Sequence, residues 1–273
     1  DLLGVKLFER RVRSVALTVA GKQLYPGLQI GFGHIRDAVA SLNAAGDANV
    51  LVVSTSPGLT AKWLAPRLYR FGNDHADIDV RISSSLTNAN FATDGIDLAV
   101  RNMAIKPVAD PALETEKLAD ISLMAVCSPR LLEKYGPIKN ARELARLPLI
   151  HDETLRARVN IPTWLDWFKT AGVDDVDLRR GLRFNSADHA LDAAGEGAGV
   201  LLAHDILAYD DLRTGRLVIP VKLALPSGRA FHLVWAKGRM PSQAAENFRV
   251  WIKAEIDALD WRQIKGLPAA SRR

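Results

Sequence analysis

The apolar residues near the start of the chain recur at the spacing of one helical face. Six of them, three or four residues apart, form a stripe of Leu24, Leu28, Phe32, Ile35, Val39 and Leu42. Polar residues fill most positions between them, so the pattern predicts a long helix with a narrow apolar seam, for which Thr18 is a suitable N-cap. A seam of this kind needs a partner. That partner is either the same helix of a second copy or the rest of the helix's own domain.

From residue 49 onward, short apolar runs alternate with amphipathic segments. The runs at 50–53, 78–82 and 96–100 are predicted to be strands, and an amphipathic helix is predicted at 60–71. The order strand, helix, strand is typical of a mostly parallel sheet.

The second half of the chain repeats this alternation. Its predicted strands lie at residues 121–126, 147–150, 182–184, 200–203 and 231–236. Its predicted helices lie at residues 129–135, 163–171, 186–194 and 241–259. The whole pattern predicts two α/β lobes, with the chain crossing between them twice.

The composition is that of an ordinary globular protein. Of the 273 residues, 48% are hydrophobic and 25% are charged, which provides a core without disulfides or metals. The single cysteine, Cys127, excludes an internal disulfide. No apolar run approaches the roughly 20 residues that cross a bilayer, and the first residues lack the features of a secretory signal. We therefore expect a cytoplasmic protein that contacts no membrane.

The net charge of +5 is concentrated at the two ends of the chain. Residues 1–22 contain five basic and two acidic residues, and residues 261–273 contain four basic residues and no acid. A basic end on a mildly acidic body places any contact with nucleic acid at the N-terminus. The basic C-terminus is interpreted as a solvated tail.

Catalytic motifs are absent from the sequence. It contains no nucleophile elbow, no zinc-protease motif and no phosphate-binding loop, and its six histidines lack metal-ligand spacing. The glycine-rich residues 195–199 follow a predicted helix and precede a predicted strand, which favours a helix C-cap over a nucleotide loop. We expect neither enzymatic activity nor a metal or cofactor.

Hydroxyl side chains cluster after two of the predicted strands. The first cluster is Ser54, Thr55 and Ser56, and the second is Ser83, Ser84 and Ser85. Open α/β sheets bind ligands beyond the carboxyl ends of their strands, where hydroxyls and free helix N–H groups can hold a carboxylate. Two neighbouring clusters therefore predict a ligand cleft, although turn and capping chemistry also accounts for either cluster alone. Further residues near strand ends that could close the cleft are Arg101, Asn102, His151, Phe184 and His204.

The N-terminal residues carry a specific resemblance to a known family. Residues 2–21 read LLGVKLFERRVRSVALTVAG, which resembles the end of the winged helix-turn-helix of LysR-type transcriptional regulators. The resemblance continues at residues 63–68, 75–81, 95–101, 126–129 and 149–152. These segments are similar to the subgroup that includes the glycine-cleavage activator, and the similarity covers nearly the whole chain.

The resemblance implies a fold and a division into domains. The fold is α/β, with a two-lobed effector domain like that of periplasmic binding proteins, preceded by a dimerisation linker helix and the remnant of a winged helix-turn-helix. The implied divisions are 1–20 for the wing remnant, 21–47 for the linker helix and hinge, 48–261 for the effector-binding domain and 262–273 for the basic tail. Lobe I would comprise about 48–119 and 226–261, and lobe II about 120–225. We expect the other helices of the DNA-binding domain upstream, so that only the full-length protein binds double-stranded DNA.

The resemblance also implies partners and contacts. A small effector, polar or carboxylate-bearing, would lie between the lobes and contact residues 54–56, residues 83–85, Arg101 or Asn102, Phe184 and His204. His204 stands where many relatives have proline, so it either tunes the ligand or caps a helix. The wing arginines Arg10, Arg11 and Arg13 would meet DNA phosphates, and the apolar stripe would form a homodimer or homotetramer. No cofactor is implied.

A solute-binding protein of the same two-lobed fold, without a role on DNA, is the alternative. Such a protein would need a signal peptide and would have no basic wing or dimerisation seam. The first 42 residues therefore favour a regulator.

Overall fold

The structure, a computed structural model, describes residues 4–11, 14–44, 49–156, 161–238 and 242–267. Its N-terminal part is a hairpin followed by a long helix. Strands β1 (Phe8–Arg11) and β2 (Ser14–Leu17) pair antiparallel, and helix α1 spans Val19–Ala44. Thr18 caps this helix, because its Oγ1 accepts a hydrogen bond from the backbone N–H of Gly21 at 3.0 Å. The predicted N-cap and the predicted long helix are both confirmed.

Strands and helices alternate through the remainder of the described chain. The strands are β3 (Val50–Thr55), β4 (Asp79–Ser84), β5 (Leu98–Ala104), β6 (Leu113–Val126), β7 (Leu149–Asp152), β8 (Leu182–Phe184), β9 (Val200–His204) and β10 (Ala224–Ala236). The helices are α2 (Pro57–Leu59), α3 (Ala65–Asp74), α4 (Pro129–Tyr135), α5 (Ala141–Leu144), α6 (Glu153–Arg156), α7 (Trp164–Thr170), α8 (Ala187–Gly195), α9 (Asp205–Arg213) and α10 (Gln243–Asp257). A π-helical turn (Thr60–Leu64) joins α2 to α3, and a 3₁₀ turn (Trp261–Gln263) follows α10.

One sheet runs through both lobes in the order β4-β3-β5-β10-β6-β9-β7-β8. In lobe I, β3 pairs in parallel with β4 and β5, and the lobe includes α2, α3 and α10. In lobe II, β7 pairs in parallel with β8 and β9, and the lobe includes α4 to α8. Helix α9 contacts both the π-helical turn of lobe I and α8 of lobe II.

Strands β6 and β10 carry the chain between the lobes. They pair antiparallel with each other, and also with β9 and β5 respectively. The two predicted crossings are therefore present, whereas the expectation of a mostly parallel sheet holds only within each lobe. Because one strand leaves lobe I and the other returns to it, the two must run in opposite directions.

The apolar core is continuous across the lobes. One buried cluster contains Leu51 and Val53 of β3 together with Leu201 of β9. A second cluster fills lobe II around Trp164 and Phe168 of α7, whose rings stack at a centroid distance of 5.4 Å. The lobes therefore share packed side chains in addition to the two crossing strands.

Several element boundaries differ from the sequence predictions. Strand β6 begins at Leu113 and β10 at Ala224, both well before the predicted starts at 121 and 231. Helix α10 begins at Gln243, and Pro241, predicted to start it, lies outside the described residues. The glycine-rich run ends α8 as predicted, since Gly197 has φ 83° and its N–H donates to the carbonyl oxygen of Ala194.

Candidate effector-binding cleft

Strand β3 ends in two buried hydroxyl residues, Ser54 and Thr55. Thr55 Oγ1 donates to the carbonyl oxygen of Ser56 at 3.2 Å, and Thr60 Oγ1 donates to the same carbonyl at 3.1 Å. Turn chemistry thus accounts for the Thr55 hydroxyl. The hydroxyl of Ser54 instead contacts a charged side chain from a neighbouring strand.

That charged side chain is Arg101 of β5. Its Nη2 donates to Ser54 Oγ at 2.6 Å and to the carbonyl oxygen of Thr87 at 3.1 Å. Its Nη1 donates to the carbonyl oxygen of Val100 at 3.1 Å. Arg101, predicted to lie near the end of its strand, is in the middle of β5, which continues to Ala104. Its guanidinium group connects the end of β3 and the middle of β5 to the loop after β4, in a position that suits a carboxylate ligand.

The second hydroxyl cluster lies directly beside the first. In the parallel register of β3 and β4, Ser83 is opposite Ser54 and Ser84 is opposite Thr55. The backbone N–H of Ser85 then donates to the carbonyl oxygen of Thr55 at 2.8 Å. Because side chains alternate along a strand, the exposed Ser84 points away from the half-buried Ser83.

Asn102 has a structural partner from a distant part of the chain. Its Oδ1 accepts a hydrogen bond from Arg229 Nε at 2.5 Å, and its carbonyl oxygen accepts one from Arg229 Nη2 at 2.6 Å. Arg229 belongs to the crossing strand β10. Its neighbour on β5, Arg101, bonds to the hydroxyl cluster through Ser54.

The lobe II candidates lie at the ends of β8 and β9. Phe184 is half-buried against the core, and His204 is buried and opposite Leu123 of β6. The side chain of His204 makes no capping bond to α9, so the structure does not support the helix-capping interpretation. His151 lies elsewhere in lobe II, with its Nε2 2.9 Å from the carbonyl oxygen of Arg180.

Asp205 is a buried acid that the sequence interpretation did not single out. It follows His204 and starts α9, where its Oδ1 accepts a hydrogen bond from the N–H of Ile206 at 2.8 Å. Burial raises the pKa of this carboxyl to about 7, against the opposing effect of backbone hydrogen bonds from Ile206 and Ser122. The sequence signal was an acidic residue before an apolar run, which is typical of a helix start.

The two lobes are in contact beside the candidate cleft. A Cβ atom on Gly58 would lie 3.0 Å from Cβ of Ala187 at the start of α8, so glycine permits this close approach. Lys62 of lobe I forms an ion pair with Asp192 of α8 at 2.8 Å. The hydroxyl clusters and Arg101 therefore lie in a molecule whose lobes are held together by packing and by charge.

The predicted dimerisation stripe is exposed on α1. Leu28, Phe32 and Ile35 are 46%, 66% and 59% exposed, and Leu24 is half-buried. Val39 and Leu42 belong to α1, but their side chains lie outside the described residues. Exposed apolar residues along a long helix favour a partner helix over packing on the rest of this chain.

The predicted wing residues fall on the N-terminal hairpin. Arg10 and Arg11 belong to β1, opposite Val15 and Ser14 of β2, whereas Arg13 lies outside the described residues. Within the described part of the chain, no helix is long and apolar enough to cross a membrane. The same residues contain no cluster of histidine, cysteine and acidic side chains that could hold a metal ion.

A two-lobed α/β fold with polar strand ends beside the lobe junction defines a class of ligand-binding domains. Residues 44–257 match the family model described as the LysR substrate binding domain. The chain belongs to the LysR family of transcriptional regulators.

Curated relatives agree with this assignment. The chain is 33% identical over 262 residues to the glycine cleavage system transcriptional activator of Escherichia coli K12, covering 94% of this chain and 82% of the relative. It is 30% identical over 259 residues to the regulator PerR of the same organism, covering 94% and 83%. These relatives are named as regulators rather than enzymes, in agreement with the expected absence of catalysis, and they give no support to the solute-binding alternative.

The fold is also that of solved effector domains. The effector domain of the regulator AmpR from Pseudomonas aeruginosa superposes with a TM-score of 0.61 at 25% identity. The similarity covers 76% of this chain and 96% of that domain. The predicted two-lobed effector domain is therefore confirmed.

Proposed function

We propose that the effector domain of this LysR-type regulator binds a small polar or carboxylate-bearing metabolite between its lobes. The observation that carries this proposal is the bond between Arg101 and Ser54, beside Ser83 at the end of the next strand. A guanidinium group and strand-end hydroxyls together can hold a carboxylate with directed hydrogen bonds. Phe184 and His204 are the proposed contacts from lobe II.

A ligand panel tests the proposed cleft. Free amino acids and short-chain carboxylic acids are screened by thermal shift, and the best ligand is titrated by calorimetry into wild type and Arg101→Gln. We expect the variant to bind at least about tenfold more weakly, because hydrogen bonds to charged groups contribute about 1.5–3 kcal/mol. The control is Arg81→Gln, since Arg81 lies on β4 but pairs with Asp79 on the surface. Equal binding by wild type and Arg101→Gln would exclude this cleft.

We further propose that effector binding alters the arrangement of a homo-oligomer on double-stranded DNA. The exposed stripe on α1 supports an interface between copies, and the basic β1 residues support contact with phosphates. An effector acts in this way when it binds one lobe arrangement better than another and so raises the population of the arrangement that it binds better. We place the protein in the cytoplasm, where DNA and metabolite are both available.

A DNA titration tests the second part of the proposal. This chain and a form extended upstream are titrated with the regulator's own promoter region at several salt concentrations. We expect tight, salt-sensitive binding by the extended form only, since sequence reading needs a recognition helix. Binding no better than to random DNA by either form would argue against a role on DNA and would leave the ligand proposal standing.

A further inference from the structure

A cavity of about 360 Å³ lies in lobe II, away from the hydroxyl clusters of lobe I. Its apolar lining includes Ile150, Leu155, Trp164, Leu165, Leu178 and Leu202. The volume lies within the range of about 300–1,000 Å³ typical of small-molecule pockets. None of residues 54–56 or 83–85 lines it, and neither does Arg101.

The floor of the cavity is part of the lobe II core. Ile150 and Leu202 come from adjacent strands and are buried, and Trp164 from α7 is only 5% exposed. Leu165, also part of the lining, is 64% exposed. An apolar ligand would remove this surface from water, which is favourable in proportion to the area covered.

Polar groups around the floor already have partners inside the protein. Trp164 Nε1 donates to the carbonyl oxygen of Ile150 at 3.0 Å. Asp152 Oδ1 accepts hydrogen bonds from the N–H and the hydroxyl of Thr154 at 2.9 and 2.6 Å. The ring of His151 is engaged by the carbonyl oxygen of Arg180. The interior therefore suits an aliphatic or aromatic body better than a polar one, whose own groups would be buried without partners.

The lining also carries positive charge. Arg183 is held by Glu153 at 2.7 Å, whereas the side chain of Arg179 is 92% exposed. Arg179 contacts Asp177 at 3.2 Å, and so does Arg180 at 3.5 Å, although Arg180 does not line the cavity. An exposed guanidinium group beside an apolar cavity is suited to the carboxylate of an apolar acid.

We propose that this cavity is a second small-molecule site, which takes a monocarboxylic acid with an aromatic or aliphatic body. The body lies on the floor beside Trp164, and the carboxylate meets Arg179. The lining of the site includes neither Arg101 nor Ser54 of the candidate effector cleft. A regulator with both sites can respond to two metabolites.

The test uses two probes that differ in charge, 3-phenylpropionate and 3-phenylpropan-1-ol. The protein is labelled with 5-fluorotryptophan, and the ¹⁹F resonance of Trp164 is assigned with Trp164→Phe. We expect this resonance to shift saturably with both probes, while tryptophans outside lobe II serve as internal controls. Arg179→Ala should weaken binding of the acid by about three- to fivefold, as expected for an exposed charge pair, and leave the alcohol unaffected.

Arg180→Ala is the matched control, because it removes the same charge from an equally exposed neighbour. We expect it to change either affinity by less than about twofold. Arg101→Gln should have no effect on either probe. A Trp164 resonance that stays in place at millimolar probe would overturn the proposal. Loss of the Trp164 shift in Arg101→Gln would also overturn it. So would an equal weakening of acid binding by Arg179→Ala and Arg180→Ala.

Discussion

Asp205 is buried at the first turn of α9, and desolvation raises its pKa from the ordinary 3.8 to about 7. Between these two values the folded protein retains a proton that the unfolded chain releases. The contribution of Asp205 to the free energy of unfolding must therefore fall as the pH rises through this window, and its destabilising effect is fully present above about pH 7. This destabilisation disappears at low pH, where the carboxyl group is protonated in both the folded and the unfolded protein.

Replacing Asp205 by asparagine removes this titration while keeping the shape of the side chain. We expect the stability of wild type, relative to Asp205→Asn, to decline steadily between about pH 4 and pH 7. Urea unfolding at several pH values measures the difference. Wild type and Asp205→Asn are compared in the same buffer at each pH, so that every other ionisable group is common to both proteins. A constant difference between them across this range would show that Asp205 does not titrate in this window.

Arg67 is a buried cation whose main acidic partner is Asp210. Its Nη1 and Nη2 donate to the two carboxylate oxygens of Asp210 at 2.5 and 3.0 Å, and its guanidinium carbon lies 4.9 Å from the centre of the Trp63 ring. Asp210→Ala would leave this charge with Glu255 at 3.8 Å. We expect a loss of about 2–4 kcal/mol in the free energy of unfolding, because a buried charge loses its main partner.

Denaturant unfolding measures this loss, and the surface pair of Asp79 and Arg81 provides the control. Both of those side chains are more than half exposed. Asp79→Ala should therefore change stability by no more than about 0.5 kcal/mol. Similar losses of stability in Asp210→Ala and Asp79→Ala would mean that burial of Arg67 does not strengthen its ion pair with Asp210.

The sequence predicted which residues of the candidate site lie close together only where those residues end neighbouring parallel strands. Ser54 and Ser83 were expected to meet because the carboxyl ends of parallel strands share one edge of a sheet, and the register places them opposite each other. The partner of Asn102 was not predictable, since Arg229 is 127 residues further along the chain. Local patterns carry no information on which strand returns to lie beside β5.

Two regions that the sequence analysis missed, helix α9 and the first half of β6, lack an apolar pattern confined to one face. Helix α9 is buried on nearly all sides, including Ile206, Leu207, Ala208 and Tyr209, so it shows no polar stripe of helical period. The first half of β6 has the opposite character, with exposed Glu114 and Lys117 and little apolar pattern. Backbone pairing with β10 extends this strand where side chains give no signal.

Helix α1 is the element whose exposed stripe predicts self-association. Phe32→Glu places a charge in the proposed seam, where it would be buried opposite the same residue or its neighbours. We expect a shift from dimer or tetramer toward monomer, by at least about tenfold in the dissociation constant, because a buried unpaired charge is costly. Sedimentation velocity over a range of concentrations measures this shift.

Gln23→Glu on the same helix is the matched control. Gln23 is exposed and lies outside the stripe, so the added charge should leave the oligomeric state unchanged. An unaltered oligomer in Phe32→Glu would move the interface away from α1.

At the scale of the whole molecule, the lobes are joined by charges as well as by strands. Lys62 lies between Asp192 of α8 and Asp211 of α9, at 2.8 and 3.5 Å. Asp192 keeps a second partner, Arg216 at 3.0 Å, if the lysine is removed. Lys62→Met should therefore loosen the lobe junction without leaving an isolated acid.

We expect amide hydrogens of α8 to exchange about fivefold faster in Lys62→Met, which corresponds to about 1 kcal/mol of lost local stability. Hydrogen–deuterium exchange with mass spectrometry measures this rate. Lys117→Met is the comparison, because Lys117 pairs with Asp120 within β6 and both are exposed. If the two variants exchange alike in α8, Lys62 does not hold the lobes together.

The path of the two crossing strands also determines the order in which the protein can be completed during synthesis. The strands unique to lobe II, β7 to β9, come from one uninterrupted stretch of the chain. Lobe I, in contrast, cannot be completed until β10 and α10 have left the ribosome, after the strands of lobe II. Until then β5 has an unpaired edge, which is open to association with other nascent chains. A translation stop just before Ala224 would release a nearly complete lobe II attached to a lobe I that lacks its closing strand.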